Sequence, residues 1–479
     1  MSQSQSSARV TVASYGFNVP CRRFLVTSNI AQDRRLPVVD EFVLRALKIA
    51  EHLPVTKLAA FLGFSMFEAG VVIEDLKDRG LVRVDGDNLE LAPLALDHFR
   101  FGRDGAPEIV EVETWVDKLW FDLISKNMMA PDRTKPFENL FDLDSRVEFK
   151  EMPESFARQA FEQNFQDFLR KVRKLSNIEK YNLYSISDVL PDRFGMVALH
   201  GSMELQTEPE PRLVPRFLDL DFEERAKYAP LTEAMQDAVR RASEPEPSTA
   251  GFAEFRRLVA DSAMPNAHDG VQFISPTVWL SEGNSDGREG RQPIIGSSYL
   301  DRNVGAFCRA IARGASRFQG QRARMLKMNW YRPAGSAWGT SLDLQRAVQE
   351  FTGAVAKALS PSWRISSNLI VPAIARHEAA RRFSRIFGRG LLSPPNHLPG
   401  GIEVVSIEGV AAMVLTRAAI SRNVAIPVGM VVSNDADVRR IENGLKLELL
   451  DEGGLQRLWS TKAPGEEDSL EDREMTAQQ

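Results

Sequence analysis

Residues 36–91 read LPVVDEFVLRALKIAEHLPVTKLAAFLGFSMFEAGVVIEDLKDRGLVRVDGDNLEL, the most regular pattern in the chain. Helical spacing of apolar residues predicts a first helix starting near Pro37, with the stripe Val39, Phe42, Val43, Leu47 and Ile49. A short second helix ends at Gly63, and Ser65 caps a third helix with the stripe Phe67, Val71, Val72 and Leu76. Two alternating segments around Asp85-Gly86 predict a hairpin.

Three helices followed by a hairpin resemble a winged helix-turn-helix domain, over about 55 residues. Such a domain commonly reads DNA with its third helix, but residues 66–79 here carry four acidic and two basic side chains. The hairpin adds three acids against Arg83 alone. Phosphate contacts supply much of a recognition helix's affinity for DNA, so the phosphates would repel this acidic helix. We therefore expect the winged helix to dock a protein partner or to be structural, with DNA reading as the alternative.

Strand-like and helix-like patterns alternate through the rest of the chain, which predicts an α/β multidomain protein with an N-terminal winged helix followed by mixed α/β layers. The segment ASEPEPSTAG is small, Pro-containing and without apolar periodicity, so it is expected to be a linker. The predicted organisation is a disordered segment 1–8, a winged helix-turn-helix 9–100, an α/β domain 101–241, the linker 242–251, a basic α/β domain 252–460 and an acidic disordered tail 461–479.

Residues 401–444 read GIEVVSIEGVAAMVLTRAAISRNVAIPVGMVVSNDADVRRIENG and have a strand-turn-strand-helix rhythm. This stretch resembles phospholipase D-like domains. Thr416–Ser421 look like that family's small-residue turn, Asn423–Val432 like the following strand, and Ser433–Asp437 like the cap of its last helix. An unrelated α/β domain with the same rhythm is the alternative.

The catalytic positions of that family are not matched. Its members carry His-x-Lys followed by Asp, and Glu408 stands where the Asp should be. The His and Lys positions are then Gly401 and Glu403, which offer no nucleophile and would repel phosphate. None of the six histidines has Lys two residues later. The resemblance thus implies a phospholipase D-like relative without catalytic residues that keeps a groove suited to phosphate.

Residues 288–389 carry 18 Lys or Arg against five Asp or Glu. This surplus of about +13 lies in a chain of net charge −5, so all other residues sum to about −18. Cationic surfaces attract polyanions, Arg holds phosphate bidentately, and Trp rings can stack on bases. We expect one outward-facing nucleic-acid-binding surface, formed by Arg309, Arg313, Arg317, Arg322, Arg324, Lys327, Trp330, Arg332, Trp338, Arg381, Arg382 and Arg385. Solvated helix faces, with arginines paired to the acidic remainder, are the alternative.

Asp132, Glu148 and Lys150 match the PD-(D/E)xK pattern of metal-dependent nucleases, in which two acids hold a metal ion and the lysine positions water. The pattern would need residues 145–150 to form a strand. Short E-x-K triplets also arise by chance. There is no phosphate-binding P-loop motif, no G-x-S-x-G elbow and no H-E-x-x-H motif in the sequence.

Composition is typical of a globular protein, with 43% hydrophobic and 26% charged residues. No apolar run has the length of a membrane span, and no secretory signal is visible, so we expect a cytoplasmic protein. Cys21 and Cys308 are far apart and the histidines are scattered, so no metal site and no cofactor are expected.

The leading interpretation is a non-enzymatic protein that binds the DNA or RNA backbone with little sequence preference. The alternatives are a metal-dependent nuclease and a scaffold for an acidic protein. Winged-helix and phospholipase D-like modules recur together in bacterial mobile-element and phage-defence operons, which suggests an accessory component of a defence system.

Overall fold

The chain is described by a computed structural model for residues 9–101, 108–130, 135–217, 226–260, 273–285, 290–360, 362–445 and 455–461. The predicted disordered segments 1–8 and 462–479 lie outside these described residues. The chain divides into two compact units. The large unit combines 1–20, 131–145 and 195–479, and the small unit combines 21–130 and 146–194.

These units divide the chain at positions other than the predicted domain boundaries. Two long strands, β1 (Arg9–Arg35) and β8 (Tyr181–Gln206), contribute residues to both units. Segment 9–20 therefore belongs to the large unit rather than to the winged helix, and segment 101–241 is divided between the units. Strand pairing joins segments far apart in sequence, and local composition does not reveal this.

The first part of the small unit has the predicted order of three helices and a hairpin. The elements are α1 (Val38–Ala50), β2 (Leu53–Pro54), α2 (Val55–Leu62), α3 (Met66–Asp78), β3 (Val82–Asp85), β4 (Asn88–Leu91) and α4 (Pro93–Phe101), and the strands form a sheet in the order β2-β4-β3. Ser65 and Glu68 form a capping box at the start of α3. Gly63 ends α2 with φ 71°.

The predicted apolar stripes of α1 and α3 are partly wrong. Ile49 is 86% exposed, and on α3 Phe67 is 81% and Val71 is 58% exposed. The predicted Leu76 is buried and Val72 packs against the core, and the other buried residues of α3 are Ala69 and Ile73. An α-helix with apolar residues around more than half of its circumference allows two core faces, and packing against α1 and α2 selects one.

The rest of the small unit is a β-ribbon covered by helices. Strand β1 pairs antiparallel with β5 (Glu108–Asp122), from Cys21 opposite Asp122 to Arg35 opposite Glu108, and β6 (Met128–Met129) follows. The helices are α5 (Val147–Glu151), α6 (Pro153–Gln163) and α7 (Phe165–Asp167), which continues as a π-helical turn over Phe168–Val172. Phe161, Phe165 and Phe168 form the buried face of this segment.

The large unit contains a mixed eight-stranded sheet in the order β10-β16-β15-β14-β11-β12-β13-β17. Its strands are β10 (Arg291–Ile295), β11 (Met325–Tyr331), β12 (Arg364–Val371), β13 (Arg389–Leu392), β14 (Glu403–Ile407), β15 (Ala411–Ser421), β16 (Val424–Val432) and β17 (Arg457–Ser460). β11, β12 and β13 are parallel to one another. Outside this sheet, β9 (Arg212–Phe217) pairs with the end of β8, and β7 (Phe141–Asp142) pairs with β1.

Helices cover both faces of this sheet, which gives the mixed α/β layers that the sequence predicts. One core contains α11 (Asp301–Ala315), α12 (Leu342–Ala358) and α13 (Arg376–Phe383). The opposite core contains α9 (Thr249–Val259), α10 (Pro276–Ser285) and α14 (Asp435–Gly444), and α8 (Ala229–Arg241) precedes them in the chain. Neighbouring strand residues such as Val404 and Val405 point into opposite cores.

Within residues 401–444, the predicted turn at Thr416–Ser421 is wrong. These residues belong to β15, whose pairing with β16 extends to Ser421 opposite Val424. The following strand and the capped helix are confirmed, since β16 covers Val424–Val432 and the Asn434 side chain accepts a hydrogen bond from the Asp437 amide. Small residues such as Ala418 and Ala419 suit a turn in isolation, but here they pack inside the sheet.

Two further observations concern only the described part of the chain. No single helix there is both long and apolar enough to cross a bilayer, and α2 with α3 reaches that hydropathy only as a pair bent by 109°. No group of three or more His, Cys, Asp or Glu side chains there is arranged to hold a metal ion.

Candidate nucleic-acid interface and polar pocket

The twelve predicted contact residues do not form one surface. Six have exposed side chains, namely Arg309, Arg313, Arg322, Arg324, Arg381 and Arg385. Lys327 and Arg317 are half-buried, and the remaining four are buried.

Trp330 and Trp338 are core residues, which corrects their prediction as stacking platforms. They are 0% and 7% exposed. Their indole N–H groups donate to Glu403 Oε1 at 2.8 Å and 2.9 Å. Trp330 alternates with Met328 and Leu326 on the inward face of β11, so strand geometry directs its ring into the core.

Three of the predicted arginines hold the fold together instead of facing solvent. Arg332 is 3% exposed and donates to the Gly335 carbonyl at 2.8 Å, and burial lowers its pKa to about 10. Arg382 donates to the Ser336 carbonyl at 3.0 Å. Arg317 donates to the carbonyls of Gly409, Val410 and Ser433 at 2.6–2.8 Å. Their guanidinium groups are engaged in hydrogen bonds to backbone carbonyls and are not available for phosphate contacts.

Two of the exposed arginines have acidic partners. Arg324 Nη1 lies 2.8 Å from Glu408 Oε1, and Arg385 Nη2 lies 3.0 Å from Glu138 Oε1. Exposed pairs of this kind contribute about 0–1 kcal/mol, so both arginines can exchange a carboxylate for a phosphate.

Several exposed cations lie at or near the end of the sheet where β11 and β12 begin. Met325 of β11 pairs with Arg364 of β12, and Arg324 directly precedes Met325. Helix α11 ends just before β11, and α12 ends just before β12, so Arg313 and Lys357 lie near the same end of the sheet. We call this group the basic edge: Arg313, Arg322, Arg324, Lys357 and Arg364.

The basic edge keeps a positive balance. Within the described chain, Arg324 is the only one of its five cations with an ion pair. The acids nearby are Glu408, Asp435 and Glu442. Burial raises the pKa of Glu442, whose carboxylate accepts the Gly409 amide at 2.7 Å, so this group faces inward.

Arg381 and Arg385 are separate from the basic edge. Arg381 lies on α13 and Arg385 in the turn just after it; α13 packs against β13 and β17, whereas α11 packs against α12, β15 and β16. Arg309 lies about one turn before Arg313 on α11. The expectation of a single cationic surface is therefore wrong, because the helices carrying it pack over different parts of the sheet.

A small polar pocket of about 40 Å³ lies at the opposite end of β11, beside Gly401 and Glu403. Glu403 begins β14, and Trp338 closes one side. Arg417 of β15 and Tyr15 of β1 are part of the polar lining. Two of the three positions matched to the family's catalytic residues, Gly401 and Glu403, thus line one pocket, whereas Glu408 does not.

Glu403 is the most constrained group in this pocket. Its Oε1 accepts hydrogen bonds from Ser298 Oγ at 2.5 Å and from both indole N–H groups. Complete burial raises its pKa, while these three donors favour the ionised form. The carboxylate therefore works as an internal hydrogen-bond acceptor that fixes Trp330 and Trp338.

Three residues of the predicted linker 242–251 form one wall of the pocket. Ser243, Glu244 and Pro245 line it, and the Ser243 amide donates to Ser336 Oγ at 2.9 Å. Glu244 accepts the Tyr15 hydroxyl at 3.0 Å and pairs with Arg417 at 2.6 Å. Burial, and then the Glu244 charge, raise the pKa of Tyr15. Composition gave no signal for this role.

The geometry contradicts the predicted nuclease site. Glu148 and Lys150 lie on helix α5 rather than on a strand, and Asp132 lies outside the described residues. Two positions along an α-helix turn the side chain by about 200°, so these two groups point in opposing directions and cannot share one metal-bound water.

Comparisons with known proteins give only remote likeness. No family model matches the chain, and no curated protein matches it. One similar structure is Nuc, a phospholipase D family member from Salmonella typhimurium, with 10% identity, a TM-score of 0.21, and coverage of 36% of this chain and 98% of Nuc. Another is TrmBL2, an archaeal chromatin protein with a novel mode of DNA binding, with 7% identity, a TM-score of 0.22, and coverage of 87% of this chain and 93% of TrmBL2. TM-scores this low carry no argument about function.

Proposed function

We propose that this protein binds the nucleic-acid backbone through the basic edge, largely independently of sequence. The observation that carries the proposal is the cluster of exposed cations at the start of β11 and β12, four of them without an ion pair to a described residue. Arg324 and Arg364 flank adjacent strand starts, where two phosphates of one backbone could be held together.

The burial of the two tryptophans bears on whether the protein prefers single or double strands. Non-specific binding to single strands gains much of its energy from base stacking on exposed aromatic rings. Since Trp330 and Trp338 are in the core, the basic edge offers charge without these rings. We therefore propose a backbone binder with no strong preference for single strands.

We also propose that α1–α4 with their sheet form a winged helix-turn-helix that docks a protein in the cytoplasm. Phe67, Val71, Glu74 and Asp78 follow one another at helical spacing on the exposed face of α3. A face with two exposed apolar and two acidic side chains suits a protein surface and is repelled by phosphate.

The polar pocket fits a phospholipase D-like domain without that family's chemistry. Gly401 and Glu403 stand at the positions of the nucleophilic histidine and the lysine, and Glu403 is committed to three internal donors. We therefore propose a non-enzymatic role. The suggested place as an accessory component of a phage-defence system belongs to the same proposal and depends on the resemblance alone.

A salt series tests the proposal. Labelled 20-base-pair duplex, the matching single strand and an acidic protein are titrated with the full chain between 50 and 200 mM salt. If the basic edge neutralises four to five phosphates, duplex affinity should fall about 150- to 500-fold over this range. Salt-insensitive binding, or binding to the acidic protein alone, would support the scaffold alternative and overturn the proposal.

A further inference from the structure

The large unit contains a second cleft, of about 220 Å³, that none of the functions above uses. It lies between the ends of β1, β8 and β9 and helix α8. Its apolar lining comprises Tyr15, Phe17, Gly201, Met203, Leu213, Pro215, Phe217 and Val239. An engineered apolar cavity of about 150 Å³ is enough to bind benzene, so this cleft has room for a larger ring system.

Aromatic side chains and a glycine shape the interior of the cleft. The Phe17 and Phe217 rings meet edge to face with centroids 6.1 Å apart. A Cβ added at Gly201 would lie 3.0 Å from the Phe217 ring and 3.2 Å from the Phe17 ring, so the glycine keeps this space open. Flat apolar ligands pack well against such rings.

Among the described residues, the polar groups that line the cleft are Arg240, Gln236 and Ser202, and no described Asp or Glu is among them. Arg240 pairs with Asp237 on the same helix, but their side chains are 73% and 46% exposed. Such an exposed pair contributes little, so Arg240 can turn to an anion at the mouth.

We propose that this cleft binds a small planar aromatic carboxylate. The ring system occupies the apolar interior beside Phe217, Leu213 and Val239, and the carboxylate meets Arg240 at the rim. A few polar groups at the edge of an apolar, aromatic interior are the usual composition of a small-molecule site. Tyr15 lines both this cleft and the polar pocket, so an occupant would touch the Tyr15–Glu244–Arg417 chain.

The test uses naphthalene-2-carboxylate and its uncharged carboxamide, titrated calorimetrically into the full chain. Both should bind, and the carboxylate more tightly. Leu213→Trp fills the cleft and should abolish binding of both compounds, whereas Leu190→Trp changes an exposed leucine elsewhere on β8 and should have no effect. If Leu213→Trp fails to fold by circular dichroism, Val239→Phe fills the same space from α8.

Charge is tested by Arg240→Gln, with Arg241→Gln as the neighbouring control. Arg240→Gln should weaken binding of the carboxylate about fivefold, as expected for the loss of one exposed ion pair, and leave binding of the carboxamide unchanged. Absence of naphthoate binding, or binding that survives both filling variants, would overturn the site. Equal effects of the two arginine variants would overturn the assignment of the carboxylate.

Discussion

Replacing Arg313, Arg322 and Arg364 by glutamine removes three cations from the basic edge without touching the core. All three side chains are exposed, and none has an ion pair with a described residue. The free energy of unfolding should therefore change by no more than about 0.5 kcal/mol. Any loss of nucleic-acid binding then reports on contact rather than on folding.

The size of the expected loss in duplex affinity follows from counterion release. Each phosphate contact to duplex DNA contributes about 0.9 to the slope of log affinity against log salt. Losing three contacts should reduce that slope by about 2.7, which corresponds to about 500-fold weaker binding at 0.1 M salt. The assay is fluorescence anisotropy of a labelled 20-base-pair duplex across the salt series, with thermal melting as the check on folding.

A matched control separates the basic edge from net charge. Lys57, Lys118 and Arg193 are exposed cations of the small unit, and replacing them by glutamine changes the net charge by the same amount. This control should leave the slope unchanged. If both triple variants lose affinity equally, binding depends on overall charge, and the reasoning from the basic edge is refuted.

The remaining predictions concern the exposed contacts outside the basic edge and three structural features. Replacing Arg309, Arg381 and Arg385, still predicted contacts, by glutamine should weaken duplex binding less than the basic-edge variant, as anisotropy would reveal. Glu403→Ala leaves buried indole and hydroxyl donors unpaired and should lower the free energy of unfolding by about 3–5 kcal/mol in urea titration; an effect below 1 kcal/mol would contradict the pocket geometry. Burial alone would raise the pKa of Asp437, but the ion pair with Arg291 outweighs burial and the pKa is lowered. This buried pair therefore stabilises the fold above about pH 4, and its contribution is lost as the pH falls through the lowered pKa. Asp437→Asn should remove this acid dependence from thermal melts and cost about 3–5 kcal/mol, and an unchanged acid profile would count against it. Ser65→Ala breaks the capping box of α3 and should cost about 1 kcal/mol in the same melts, with Ser176→Ala as a control for an exposed serine outside any helix cap.

Local chemistry explains what could be predicted for the fold. The capping box at Ser65, the left-handed Gly63 and the Asp85-Gly86 hairpin each depend on a few neighbouring residues, and all appear where the sequence places them. The mixed α/β architecture followed from alternating patterns for the same reason. The cap of α14, Asn434, lies within Ser433–Asp437, where the resemblance implied it.

The candidate interface needed the tertiary structure. A guanidinium or indole has the same local sequence signature whether it faces water or closes a buried network. Arg332 and Trp330 look like surface recognition residues in sequence, but Gly335 and Glu403 accept their hydrogen bonds inside the protein. Composition predicted the surplus of positive charge, not its division between α11, α13 and the strand starts.

The sequence by itself determined the helices, the hairpin, the alternating layers and the presence of excess cations, since these depend on spacing and composition within short windows. Only the tertiary structure decided that the exposed face of α3 is apolar and acidic, that a supposed linker walls a pocket, and which arginines remain available. The physical reason is that burial is a property of contacts between distant segments. Val12 and Ile426, for example, share one core although more than 400 residues separate them.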